Sequence, residues 1–354
     1  MRRTASMAAI LSLSAAPVLA APGNIVTDMP ATGSLVQQVL GDLGEVRVLL
    51  PDGASVHHYQ MRPSDAQALQ SADLLVWVGP ELTPWLGRAA DSLSTGATQL
   101  RLLQAEGTYR QDFAAEHAHD DHDDHDDHGD EYGHDDHDHE DHGHQDHGHD
   151  DDHTHDDDHD GHDHAPAHDG DHGEDHGHSH DGTDPHAWLD PANAAPWLEA
   201  IADALAAHDP ENAAIYAANA QAAAADIAAL QNELGSQLAP FAEDSFVVFH
   251  DAYGYFTNRF GLRPAIAVSL GDASTPSAAR LGQVRARIAQ SGARCAFPEY
   301  AHDAGLIETA IEGSGARLGG VLDPQGGGIA ADRGQYQLIL RGMADTIADC
   351  LKAD

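Results

Sequence analysis

The sequence has little positive charge. It contains 17 Lys and Arg against 59 Asp and Glu, which gives a formal net charge of −42. Binding to the phosphates of nucleic acid requires a basic surface, so this composition excludes nucleic acid as a partner. The charge is unevenly placed, because residues 117–180 contain 26 of the acidic residues and no Lys or Arg, which leaves −16 for the rest of the chain. The remainder has the charge of an ordinary acidic secreted protein.

An apolar run long enough to cross a membrane is also absent at the N-terminus, where a spanning helix would need about 20 apolar residues. The run there is short, follows Arg2 and Arg3, and ends in Val18-Leu19-Ala20. These features predict a cleaved signal peptide over residues 1–20 and a mature chain that begins at Ala21. No Cys follows the cleavage site, so a lipid anchor is not expected. We predict a soluble periplasmic protein.

Cysteine is scarce: the two in the chain are Cys295 and Cys350. In an oxidising compartment two thiols in one domain are expected to pair, although two buried free thiols are the alternative. Closing a loop of this size would stabilise the fold by roughly 4 kcal/mol in the chain-entropy model. We expect the disulfide to be structural.

Residues 117–180 form a tract with almost no apolar residues and with 22 of the 28 histidines of the chain. Such a segment cannot bury enough surface to offset the entropy of ordering its backbone. The sequence therefore predicts a disordered His/Asp-rich loop.

Outside the leader and the tract, short apolar runs alternate with helical patterns, and one long Ala-rich helical pattern at 210–238 divides them into two series. The predicted strands are 24–28, 45–50, 73–79 and 98–103 in the first series, and 245–250, 264–270, 293–298 and 318–323 in the second. Alternation of this kind predicts parallel strands with helices on both faces of the sheet. The predicted fold is therefore α/β: two lobes, each with a parallel sheet flanked by helices, joined by a long rigid spine helix.

The domain boundaries follow from this pattern. We predict a signal peptide at 1–20, an N-terminal lobe at 21–208 that contains the tract, a spine helix at 209–239 and a C-terminal lobe at 240–354. At 1.5 Å per residue the spine would be roughly 40 Å long, the height of a two-lobed protein.

Six histidines lie outside the tract: His57, His58, His186, His208, His250 and His302. Three of these are placed where a doubly wound lobe binds ligands, beyond the carboxyl ends of its strands. His57 follows the predicted strand 45–50, His250 ends the strand 245–250, and His186 lies where the first lobe gives way to the spine. Two of the three come from the N-terminal lobe and one from the C-terminal lobe.

Imidazole is the characteristic nitrogen donor to zinc, and a closed zinc site has four ligands. His57, His186 and His250 would supply three, and either Asp323, at the end of the predicted strand 318–323, or water the fourth. Each histidine alone is more simply a hydrogen-bonded loop residue, but the three positions together favour a metal site. Neighbouring side chains in an extended segment point to opposite sides, so one of His57 and His58 should face the cleft and the other should not, which leaves the role of His58 open. His208 and His302 have ordinary surroundings, and we predict that both lie at the surface.

The neighbours of these histidines carry a family resemblance. The run Pro51-Asp52-Gly53-Ala54-Ser55, with His57-His58-Tyr59 and Arg62-Pro63-Ser64-Asp65 after it, resembles one ligand segment of a known family. His186-Ala187-Trp188-Leu189 resembles the second, and Phe249-His250-Asp251-Ala252-Tyr253-Gly254-Tyr255-Phe256 the third. The chain thus resembles the zinc-uptake solute-binding proteins of ABC transporters, the ZnuA type within the metal-binding cluster A-I family, over essentially its whole mature length.

The resemblance implies that His57, His186 and His250 are the zinc ligands. An acidic His-rich insertion between the first and second segments and paired cysteines in the second lobe are also typical of the family. One position departs from the pattern: Val56 stands where some relatives have Glu. A carboxylate ligand from that position is excluded, and the fourth ligand stays open.

Manganese-binding relatives have a similar fold, but they have a carboxylate where His250 stands and use the Asp that corresponds to Asp323 as a ligand. Nitrogen donors suit zinc and carboxylates suit manganese, so His250 argues for zinc. The tract is predicted to bind several further divalent ions weakly, since each site must order a flexible chain. Its charge would concentrate cations near the mouth of the cleft, and we expect it to scavenge or hand over zinc without contributing to the tight site. A solvated acidic linker whose histidines bind nothing is the alternative.

The function indicated is capture of Zn²⁺ between the two lobes and its delivery to the inner-membrane permease of an ABC importer, by a monomer that catalyses no reaction. A periplasmic zinc buffer or metallochaperone, and a manganese-binding relative, are the alternatives. A zinc enzyme would also use three imidazoles and a water. Neither a convincing general base nor a His-Glu-x-x-His helix is found, so we expect no enzyme.

Overall fold

The computed structural model describes residues 22–113 and 182–353, and these residues belong to one compact unit. The predicted signal peptide and the predicted disordered tract lie outside the described residues. The predicted boundaries of the lobes stay predictions. Within the described residues, no helix has the length and apolar character needed to cross a membrane.

The N-terminal lobe is built on a sheet of four parallel strands in the order β2-β1-β3-β4, as the alternation of strands and helices predicts. The two central strands are buried at every position, because helices cover both faces of the sheet. The strands are β1 (Ile25–Thr27), β2 (Val46–Val48), β3 (Leu74–Trp77) and β4 (Thr98–Arg101). The helices between them are α1 (Pro30–Leu40), α2 (Pro63–Gln70) and α3 (Pro84–Leu93), each with Pro in its first turn.

Two helices follow the first sheet, α4 (Ala194–His208) and α5 (Ala213–Leu238). Helix α5 begins after a 3-10 turn at Pro210–Asn212 and continues into another at Ala239–Phe241. Its buried residues recur every three or four positions, which gives one apolar stripe: Tyr216, Ala220, Ala223, Ile227, Leu230, Leu234 and Leu238. Through this stripe α5 packs on α1 of the first lobe and on the last helix of the second. The predicted spine helix is confirmed.

The C-terminal lobe repeats the plan with a parallel sheet in the order β6-β5-β7-β8. Its strands are β5 (Phe246–His250), β6 (Ile266–Ser269), β7 (Cys295–Phe297) and β8 (Arg317–Leu318). Its helices are α6 (Gly254–Phe260), α7 (Ala278–Ser291), α8 (Gly305–Ile311) and α9 (Gln335–Lys352). The β5 register pairs Val247 with Ile266 on one side and with Ala296 on the other.

The last predicted strand was too long. Strand β8 ends at Leu318, and the chain rejoins the sheet only through an isolated bridge between Glu299 and Leu322. Gly319 passes so close to Phe297 that a Cβ atom would lie 2.5 Å from its ring. Two successive glycines therefore interrupt the ladder, since glycine in a strand marks a close approach.

The predicted disulfide is confirmed. Cys295 of β7 is bonded to Cys350 of α9, across a sequence separation of 55 residues. The disulfide links α9 to β7, which lies beside β5, the strand that ends at His250.

Candidate metal centre

The three predicted ligand histidines lie on different elements that end at one place in the molecule. His57 lies in the turn that follows β2, His186 begins the 3-10 turn Ala187–Leu189, and His250 is the last residue of β5. The carboxyl ends of parallel strands share one edge of a sheet, and this edge is where open α/β folds bind ligands. The fold therefore brings together side chains that are far apart in sequence.

The three imidazoles form a compact triangle. His186 Nε2 lies 3.4 Å from His57 Nε2 and 3.4 Å from His250 Nε2. The ring centroids are 5.2–5.4 Å apart. Two nitrogens bound at about 2.0–2.1 Å to a tetrahedral zinc ion would be separated by a similar distance, roughly 3.3–3.4 Å. Over residues 22–113 and 182–353, His57, His186 and His250 are the one group of three or more donors close enough to hold a metal ion.

Two of the rings are oriented by buried carboxylates. His186 Nδ1 lies 2.7 Å from Asp184 Oδ1, and His250 Nδ1 lies 2.8 Å from Glu299 Oε2. When each Nδ1 carries the proton and donates it to its carboxylate, each Nε2 presents its lone pair toward the centre of the triangle. Glu299 Oε2 also accepts a hydrogen bond from the Tyr253 hydroxyl at 2.9 Å. Such carboxylate–imidazole pairs fix the tautomer of metal ligands and raise their basicity.

Burial and mutual repulsion control the protonation of the triangle. Burial lowers the pKa of His57 and of His186 well below the ordinary value, and the neighbouring imidazoles lower both further. Burial also acts to lower the pKa of His250, but the carboxylates of Glu299, Asp251 and Asp184 together outweigh burial, and the pKa is raised. Burial raises the pKa of Asp184 to about 7. At neutral pH the rings of His57 and His186 are therefore neutral and able to coordinate a cation.

Asp323 is placed differently from the three histidines. Its Oδ1 accepts hydrogen bonds from the backbone N–H of Gly326 and Gly327, at 2.8 and 3.1 Å, and its Oδ2 accepts one from Gly328 at 2.8 Å. It does not belong to the close group of donors. Its assignment as fourth ligand stays a prediction.

The remaining histidines divide into two kinds. His58 is exposed, with its ring centroid 6.4 Å from that of His57. His208 is also exposed and contacts Thr98. The expectation that His302 lies at the surface was wrong: its side chain is 10% exposed, stacks on Phe249 with centroids 4.3 Å apart, and lies 3.7 Å from Glu299.

Sequence reasoning missed Asp184, Glu299 and Tyr253. Asp184 precedes His186 by two residues, and a side chain at that spacing is within reach of the ring, so a local signal existed. Glu299 is 49 residues from His250 and meets it only because β7 lies beside β5 in the sheet. No local pattern could have identified that partner.

Comparison with known proteins identifies a matching family and several similar proteins. The family model described as zinc-uptake complex component A, periplasmic, matches residues 25–350. A high-affinity zinc uptake system protein ZnuA from Paracoccus denitrificans is 56% identical over 349 residues, which cover 98% of each chain. The protein of the same name from Brucella abortus is 36% identical over 330 residues, or 92% of this chain and 91% of that one.

Solved structures share the fold. A crystal structure of ZnuA aligns with a TM-score of 0.64 at 22% identity and covers 92% of this chain and 97% of that one. A periplasmic metal-binding protein from Candidatus Liberibacter asiaticus aligns with a TM-score of 0.65 at 19% identity, over 92% and 98% of the two chains. At these identities the structures support the two-lobed architecture alone.

Proposed function

The chain belongs to the ZnuA family of periplasmic zinc-uptake components, and from this premise we propose that it captures Zn²⁺ between its two lobes and delivers it to an ABC-type importer. The zinc ion is the cargo. His57, His186 and His250 are the proposed ligands, and a water molecule or a carboxylate such as Asp323 completes the coordination.

The observation that carries this proposal is the triangle of three Nε2 atoms, with its two 3.4 Å separations. An all-nitrogen set of donors favours zinc over manganese, which prefers carboxylates. It does not by itself exclude copper, so selectivity depends also on geometry and supply.

Transport rather than catalysis is proposed because the nearby carboxylates are already engaged. Asp184 and Glu299 accept hydrogen bonds from the ligand rings at their outer nitrogens, on the side away from the triangle. A zinc hydrolase needs a base placed beside the metal-bound water. The family to which the chain belongs consists of solute-binding transport proteins.

The test is a zinc titration of the purified mature chain against a competing chelator, together with growth of a deletion strain under zinc limitation. We expect one tight site per chain and restored growth when the gene is returned. Recovery of the permease subunit on the immobilised zinc-loaded protein would support delivery to an importer. A chain that binds zinc tightly but neither retains the permease nor restores growth would instead act as a zinc buffer.

A further inference from the structure

One loop of the C-terminal lobe contacts both ligand segments of the N-terminal lobe. We call residues 323–328 the clamp loop. Asp323 folds it by accepting the three glycine N–H groups described above. Gly326 has φ +82°, and a Cβ atom there would lie 2.5 Å from Ile339 Cδ1, so that position requires glycine.

The clamp loop makes two buried hydrogen bonds across the lobe boundary. The carbonyl oxygen of Pro324 accepts from Trp188 Nε1 at 2.7 Å, two residues after His186. Gln325 Oε1 accepts from the backbone N–H of Val56 at 3.2 Å, one residue before His57. Gln325 is 6% exposed and Val56 is fully buried, so solvent does not compete for either group.

Val56 is held from both sides. Its N–H donates to Gln325 of the other lobe, and its carbonyl oxygen accepts from Trp85 Nε1 at 2.7 Å. The peptide planes on either side of Val56 are thereby set, and they determine where the next side chain, His57, projects. His186 and His250 are oriented through their rings by carboxylates, whereas the His57 segment is oriented through its main chain.

We propose that Gln325 is a positioning residue for the ligand His57: by accepting the Val56 N–H across the lobe boundary, it places His57 Nε2 at the triangle. The inference rests on the proposed function, since it concerns the same zinc site. Removing the acceptor leaves a buried N–H without a partner, which is costly enough to shift the loop.

The test compares Gln325→Leu, which has no acceptor, with Gln325→Glu, whose carboxylate can accept the same N–H. We expect Gln325→Leu to weaken zinc binding about tenfold, the size expected for one unsatisfied buried donor, and to speed zinc release to a chelator. Gln325→Glu should bind within about threefold of wild type. Tyr300→Phe is the matched control, because it removes the 2.5 Å cross-lobe hydrogen bond to Asp52 and keeps the ring. Its affinity should be unchanged.

A double-mutant cycle with His57→Ala separates positioning from general stabilisation. If Gln325 acts through His57, then Gln325→Leu has no further effect on zinc affinity once His57 is gone. An equal loss with and without His57, or no loss in either, would overturn the proposal. Gln325→Ala, with apo melting temperatures, serves if the Leu variant fails to fold. If wild type does not bind zinc, the proposed function itself is wrong. If wild type and Gln325→Leu bind zinc equally well, only the positioning role of Gln325 is wrong.

Discussion

Histidine occurs in this chain in two contrasting settings. Residues 117–180 contain 22 histidines among acidic residues and almost no apolar ones, whereas the proposed site uses three histidines in a folded core. His186 and His250 are 1% exposed, and their Nδ1 atoms are hydrogen-bonded to carboxylates. From this difference we expect tight binding to depend on fixed geometry more than on the number of donors, because a preorganised site does not have to order the chain when the ion arrives.

The largest effect is expected from removing a ligand of the core site. His250→Ala should weaken tight zinc binding by more than about 100-fold, since loss of an outer-shell partner alone typically costs about 10–100-fold. Competition titration measures the change, with His208→Ala as the control because that side chain is exposed. Tight binding that survived in His250→Ala would refute the site and would move attention to the tract.

The second largest effect is expected from changing Glu299, the carboxylate that orients the His250 ring. Glu299→Gln keeps the size of the side chain but removes the charge that stabilises the His250 tautomer. We expect zinc affinity to fall by about 10–100-fold. Glu308→Gln, an exposed change on α8, is the matched control and should bind as wild type does. Equal affinities for the two variants would show that the carboxylate contributes nothing to the site.

Acid should weaken the core site because protons compete with zinc for the imidazoles. The pKa of His250 is raised by Glu299 and those of His57 and His186 are lowered, so His250 is protonated first as the pH falls. Below the pKa of His250 we expect about a tenfold loss of affinity per pH unit, one proton being displaced per ion. Zinc titrations from neutral pH down to about pH 5 would reveal this slope, and a flat profile would contradict the assignment.

The smallest effect on the tight site is expected from deleting residues 117–180. The flanking chain is already paired, since Phe113 N–H donates to the Gly182 carbonyl oxygen at 3.1 Å and Asp184 N–H to that of Gln111 at 2.9 Å. The deletion leaves four residues between Phe113 and Gly182, a length that suits a hairpin connection. Zinc affinity at the core should change by less than about twofold while weakly bound zinc is lost. A lost tight site would show that the tract contributes ligands.

Much of the fold was predictable because its signals are local. The alternation of apolar runs and helical patterns identified both parallel sheets, and the long Ala-rich helical pattern at 210–238 identified the spine. The error at residues 318–323 came from Gly319 and Gly320, where an apolar pattern continues but the backbone leaves the ladder to pass Phe297. Local pattern does not report such a close approach.

By itself the sequence determined the kinds of donor and their places at strand ends, because residue chemistry and chain order need no third dimension. Only the tertiary structure decided the contacts that remote residues make with those donors and their segments. Glu299 reaches His250 because two strands are neighbours in a sheet, and Gln325 reaches Val56 because two lobes meet. A hydrogen bond forms only when donor and acceptor are placed to within a few tenths of an ångström. Between residues that are remote in sequence, packing sets that placement.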